Sequence, residues 1–143
     1  GDPDVMTICW DCNGSGKKGR RTCPCQLVLP THEAGHVVAA KLLGAKNVKA
    51  RLLDTPNRRG WDGWTSYTRP RGPNTKTTEA IIALAGAAAA GEAAGGDDLK
   101  AARKLCGSKK KFKQAQAAAA ELVHENRREI GRTAERLHKK RRI

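Results

Sequence analysis

The chain of 143 residues has room for one modest domain and a small appendage, which excludes a multidomain machine. With 28 Lys and Arg against 14 Asp and Glu, its formal charge of +14 predicts an attraction to polyanions, although a merely solvated basic surface would look the same. Aromatic residues make up only 3%, so we expect a thin core built from Ala, Leu, Val and Ile.

No segment approaches the roughly 20 apolar residues of a membrane span, and the start of the chain does not read as a signal peptide. We therefore expect a cytoplasmic protein without membrane contact. Four of the five cysteines lie close together near the start of the chain. They are Cys9, Cys12, Cys23 and Cys25.

Four thiolates at this spacing are typical of a structural zinc site in a reducing compartment, so residues 1–28 are predicted to form a zinc knuckle with a flexible N-terminus. A redox pair and free thiols are the alternatives. The loop of the knuckle is basic and Trp10 is available for stacking, so nucleic-acid contact and a purely structural staple both stay open. Cys106, beside Leu105, is predicted to be a packed helix thiol.

The first main helix is predicted over Thr31–Leu43, after a break at Pro30 and before a stop at Gly44. Two strands are then predicted over 48–53 and 63–67, joined by a turn-rich run.

Three helices are predicted in the second half of the chain. Asn74 or Thr75 begins the first, which runs through the alanines up to Ala90 and closes near Gly95. A short helix follows over 97–105, and a long basic amphipathic helix runs from Lys109 to a frayed end.

The chemistry-bearing motif is His32-Glu33-Ala34-Gly35-His36, which fits the H-E-x-x-H pattern. Residues four apart share a helical face, so both imidazoles can reach one Zn²⁺, while Glu33 can act as the general base toward water. A pair of surface histidines and a purely structural zinc site are the alternatives. A third ligand is needed, and Asp98 at a helix start is the preferred candidate over Asp97, Glu92 and His124.

Beyond this motif, the segment 29–137 resembles the peptidase domain of FtsH-type AAA proteases, which carry the same His-Glu-Ala-Gly-His helix. Matches follow in order: Gly-Trp-Thr at 63–65, Leu-Ala-Gly-Ala-Ala-Ala at 84–89, Asp-Asp-Leu-Lys-Ala-Ala at 97–102 and Leu-Val-His-Glu-Asn-Arg at 122–127. The resemblance implies a mainly helical, zincin-like fold with a small sheet over residues 29–143. It also implies zinc bound by His32, His36 and Asp98, with Glu33 as the base.

The same resemblance implies that Gly63, Trp64 and Thr65 form an edge strand beside which a substrate peptide adds as a further strand. The chain carries no ATPase module, and Ala87, Ala90 and Gly91 depart from the family's pattern. We therefore predict a zinc metallopeptidase that is ATP-independent or relies on a separate ATPase, with one catalytic and one structural zinc. The alternative is a basic zinc-knuckle protein that binds nucleic acid through the knuckle and the last helix.

Overall fold

A computed structural model describes residues 17–18, 20–22, 27–52, 63–91 and 96–143. Five helices and four short strands make up this part of the chain. The helices are α1 Val28–Leu42, α2 Thr75–Ala90, α3 Gly96–Cys106, α4 Lys109–Glu125 and α5 Arg127–Lys140. The strands are β1 Lys17–Lys18, β2 Arg21–Thr22, β3 Lys46–Leu52 and β4 Gly63–Thr68. The prediction of a mainly helical protein with a small antiparallel sheet is confirmed, whereas the four knuckle cysteines and Glu92 lie outside the described residues.

Helix α1 begins earlier than predicted, because Pro30 lies inside its first turn and does not break it. The backbone N–H groups of the first turn have no partner within a helix, so a proline costs no hydrogen bond there. The first hydrogen bond of the helix runs from the N–H of Thr31, just after the proline, to the carbonyl of Leu27, at 2.8 Å. The other end agrees with the prediction, since Gly44 follows the helix with a φ of 89° that favours glycine.

Strands β3 and β4 pair antiparallel, with Arg51 opposite Trp64. The other edge of β3 is occupied by the last residues of the chain. Ala50 and Ile143 exchange two backbone hydrogen bonds of 3.0 and 2.9 Å, and the N–H of Leu52 donates to the carbonyl of Arg141 at 2.8 Å. The predicted frayed end was therefore wrong, because a pairing partner distant in sequence orders it.

The predicted long terminal helix is two helices, and Asn126 separates them. The Asn126 side chain donates to the carbonyl of Leu122 at 2.8 Å, the same oxygen that its own backbone N–H approaches at 3.1 Å. Asparagine readily makes such local bonds, and they favour a helix end over continuation. As a result α4 packs against α2 while α5 packs against α1.

The core contains Ala, Leu, Val and Ile, as expected, with alanine the commonest, and lies in three clusters among the helices and β3. Small residues allow α1 and α2 to cross closely: a Cβ built on Gly35 would lie 2.5 Å from the carbonyl oxygen of Ala85 and 2.7 Å from the Cβ of Ala89. Helix α2 ends at Gly91, before the predicted Gly95. Among the described residues, no helix is long and apolar enough to cross a membrane.

Candidate metal centre

The two motif histidines lie one turn apart on the inner part of α1. Their Nε2 atoms are 3.1 Å apart, and the rings meet edge to face with centroids separated by 4.8 Å. His36 is buried, whereas the His32 side chain retains 20% of its exposure. The pair therefore lies at the boundary between the core and solvent.

Helix α3 brings Asp98 to these imidazoles from 66 residues further along the chain. Its Oδ2 atom lies 3.0 Å from Nε2 of His32 and 3.3 Å from Nε2 of His36. Burial acts to raise the pKa of Asp98, but the two neighbouring imidazoles outweigh it and hold that pKa well below its usual range. Asp98 is therefore an anion that faces two imidazole nitrogens.

A backbone carbonyl on the side of the ring away from the cluster fixes the orientation of His36. Its Nδ1 atom lies 2.7 Å from the carbonyl oxygen of Ile82, so Nδ1 carries the proton that it donates there. In the neutral ring, Nε2 is then left with a lone pair that points into the cluster. Such a backbone partner behind a histidine is the arrangement that orients metal-binding imidazoles.

The three converging atoms fit a metal ion in their spacing. A tetrahedral ion with ligand bonds of about 2.0–2.1 Å places its ligand atoms about 3.3 Å apart. Here the three separations are 3.0, 3.1 and 3.3 Å. Two imidazoles and one carboxylate, each donating a lone pair, are suitable ligands for a divalent cation. Among the described residues, this is the group of three with such a geometry.

Gly86 on α2 provides the space that the imidazoles occupy. A Cβ built there would lie 2.5 Å from Nε2 and 2.6 Å from Cε1 of His36, and 2.9 Å from Nε2 of His32. Any side chain at this position would therefore displace the proposed ligands. Sequence reasoning missed this role, because a glycine within an alanine-rich helix does not reveal which atoms approach it.

Glu33 is almost completely buried, at 4% exposure, next to the histidine pair. The Thr65 hydroxyl donates a 2.8 Å hydrogen bond to Oε2 of Glu33. Burial raises the pKa of Glu33, against the opposing effects of His36, of this hydrogen bond and of His32. A buried carboxylate with one fixed donor is well suited to accept a proton close to the cluster. The contact with Thr65 was not predicted from the sequence.

The predicted substrate strand lies on β4, where the chain passes Glu33. Trp64 projects from the exposed face of the sheet, with the Arg51 guanidinium 5.6 Å from its ring centre, while Thr65 projects inward. The backbone groups of Ala50 and Leu52 in β3 bond to the end of the chain. Backbone direction alternates along a strand, so it is the residues adjacent to these two whose backbone groups face β4. The alternation then directs the backbone N–H and C=O of Thr65 away from β3, toward the edge of β4 that no other described strand pairs with.

Two of the rival ligands, Asp97 and His124, are not part of this cluster. Asp97 is exposed on α3, and His124 is exposed near the end of α4, where it borders a groove with Arg127 and Arg128. Cys106 is a buried free thiol packed among apolar residues, which confirms its prediction. The structure therefore brings together His32, His36 and Asp98, with Glu33 and Thr65 beside them, and leaves Asp97 and His124 apart.

No protein-family model matches the chain. A search of curated proteins likewise finds no matching relative. The geometry of the site is therefore the basis from which its function is inferred.

Proposed function

We propose that the protein is a zinc-dependent metallopeptidase, with His32, His36 and Asp98 as metal ligands and Glu33 as the general base. The observation that carries the proposal is the triangle of Nε2, Nε2 and Oδ2 atoms, 3.0–3.3 Å on each side, beside a buried carboxylate. Two imidazoles and a carboxylate form a donor set that zinc uses in hydrolytic enzymes.

The number of ligands supports a catalytic site over a structural one. Structural zinc sites have four protein ligands, whereas catalytic sites have three and an open position. Among the described residues the cluster has three members, and the Asp98 side chain is 35% exposed. Solvent can therefore reach this corner of the cluster, which a structural cage would close.

The residues around the triangle have distinct roles in the proposal. Zinc, when bound, would polarise a peptide carbonyl and make water more acidic. Glu33 would accept the proton of that water and deliver it to the leaving amine. Thr65 would hold the Glu33 carboxylate in one orientation through its 2.8 Å hydrogen bond. The bond from Nδ1 of His36 to the Ile82 carbonyl would orient the ring so that Nε2 faces the metal.

The edge of β4 at Thr65, which no strand of the described residues covers, offers a means of binding a polypeptide. A substrate in extended conformation can pair with the outward-facing backbone groups of an edge strand, and such pairing requires no particular side chain. Thr65 links this edge to Glu33, so a peptide bound here would pass beside the base. An unfolded chain presents such segments most readily, so we infer unfolded substrates in the cytoplasm. The alternative is a separate ATPase that unfolds the substrates first.

The test replaces a carboxylate of the site by its amide and compares each variant with the same replacement at an exposed carboxylate. Glu33→Gln should reduce cleavage of an unfolded protein such as casein by about 100-fold or more, the range for loss of a general base, with zinc still bound. Glu121→Gln, an exposed glutamate of α4, serves as its control. Asp98→Asn should lower zinc affinity, whereas Asp97→Asn in the same helical turn should not. Full cleavage by Glu33→Gln would refute the catalytic assignment.

A second candidate is a basic binding protein whose metal site is structural. The net charge of +14 favours it, since such a charge attracts nucleic acid without any catalysis. This candidate predicts salt-dependent nucleic-acid binding and no proteolysis under conditions in which zinc is bound. The variants at Glu33 would then change neither property.

A further inference from the structure

The corner between α3 and α4 forms a basic surface that lies away from the proposed metal ligands. Gly107, with a φ of 74°, turns the chain sharply after α3, and Ser108 begins α4. The last turn of α3 therefore lies beside the first turn of α4. Asp98 is at the opposite end of α3, an 11-residue helix of about 16 Å.

Seven basic side chains are concentrated on these two helices, and all are exposed. They are Lys100, Arg103, Lys104, Lys109, Lys110, Lys111 and Lys113. No Asp or Glu occurs between Leu99 and Ala120. Within the described part of the chain, the ion pairs involve Asp98 with the two histidines and Arg69 with Glu79, so none of the seven is neutralised.

The placement of the lysines works against the stability of α4. The N-terminus of a helix carries a partial positive charge, so acidic residues are favourable there and lysines are not. The first turn of α4 has no acid and three consecutive lysines, Lys109 to Lys111. The Ser108 hydroxyl accepts a hydrogen bond of 3.2 Å from one of these N–H groups, that of Lys111. A bound anion would offset this accumulation of positive charge.

A groove of about 500 Å³ runs across the corner, bordered by Arg103, Ser108, Lys109, Phe112 and Lys113. The Arg103 guanidinium lies 5.5 Å from the centre of the Phe112 ring, and this contact links the two helices. Lys109 and Lys113 are four residues apart, so they extend from the same face of α4. Charges from both helices therefore converge on one concave surface.

We propose that this corner binds the phosphate backbone of nucleic acid. The large apolar side chains that are exposed, Val28, Leu42 and Trp64, lie on α1 and β4, so among the described residues the corner offers none to insert into a lipid bilayer. Phe112 is partly covered and in contact with Arg103, so it is not free to stack on a base. Phosphate contacts then dominate, and binding is insensitive to base sequence.

The experiment measures binding to a labelled duplex of mixed sequence by fluorescence anisotropy, from about 50 to about 200 mM salt. The triple variant Arg103→Gln/Lys109→Gln/Lys113→Gln removes three charges from the groove. Each lost phosphate contact lowers the slope of log K against log salt by about 0.9, so the slope should fall by up to about 2.7 and affinity about tenfold or more. Circular dichroism checks that the helices are retained.

The control variant Lys41→Gln/Lys46→Gln/Lys49→Gln removes the same charge from exposed positions on α1 and β3. Its slope and affinity should stay close to wild type, because net charge alone is not the cause. Equal losses in both triple variants, or unchanged binding in the groove variant, would overturn the proposal. Binding to vesicles rich in phosphatidylserine without binding to duplex would also overturn it. Casein cleavage should be the same in both variants, so this inference and the peptidase proposal can fail separately.

Discussion

Adding a single methyl group at Gly86 tests whether the imidazole pair functions as a metal site. The new Cβ would lie 2.5 Å from Nε2 of His36 and 2.9 Å from Nε2 of His32, whereas ordinary contacts begin at 3.4 Å. The His36 ring would therefore have to move by about 1 Å. Ligand distances at a zinc site tolerate only about 0.2 Å, so the triangle cannot keep its shape.

We expect Gly86→Ala to weaken zinc binding at this site by about 100-fold, or about 2.8 kcal/mol, the upper range for changes that misorient a ligand. Zinc retained after dialysis against a chelator should fall by one ion per chain relative to wild type. A competition titration with a chromophoric chelator would give the affinity. Cleavage should fall in parallel, since the proposed mechanism needs the metal.

Gly131→Ala is the matched control, because a Cβ at that position in α5 would contact nothing within 4 Å. Alanine is the better helix former, so this control should raise the free energy of unfolding by about 0.5–1 kcal/mol and leave zinc content unchanged. Gly86→Ala gains the same helix propensity, and circular dichroism should show a folded chain. Wild-type zinc affinity in folded Gly86→Ala would refute the reasoning, since the imidazoles would then not depend on that space.

Three further changes test other parts of the structure. Gly35→Ala should destabilise the fold by about 1–3 kcal/mol in urea unfolding, because the added carbon meets the backbone carbonyl of Ala85, which cannot rotate away. Leu137→Ala, at a fully buried position of α5, should cost about 2–5 kcal/mol, and a loss below 1 kcal/mol would contradict its place in the core. Thr65→Val removes the hydroxyl bonded to Glu33 and should lower kcat by about tenfold, with zinc content unchanged. Thr65→Ser keeps a hydroxyl and should retain the wild-type kcat. Equal kcat in both variants would exclude a positioning role for Thr65.

Much of the side-chain cluster was predictable because its members follow local rules. His32 and His36 share a helical face by their spacing alone, and Gly44 ends that helix by its tolerance of positive φ. Asp98 was chosen for its position at a helix start and by resemblance, and the structure brings it within 3.0 Å of His32. Its role as a metal ligand stays a prediction.

The errors arose where distant or competing contacts decide. Pro30 was read as a break, although the first turn of a helix accepts proline. Asn126 was read as a helix interior residue, although its side chain competes for the Leu122 carbonyl. Fraying was expected over 139–142, and only the folded chain shows that Leu52 bonds to Arg141 and Ala50 to Ile143. The roles of Gly86 depend on helix crossing, which periodicity does not encode.

The separation of 66 residues between His32 and Asp98 would tie the proposed ion binding to the folding equilibrium. An unfolded chain holds these groups far apart, so a divalent ion that prefers the assembled cluster shifts the equilibrium toward the native state. At a free concentration about 1,000 times its dissociation constant, that shift amounts to about 4 kcal/mol. The melting temperature would then rise with zinc concentration. Because the alanine-rich core is small, a sizeable share of the stability of the domain would depend on the available metal.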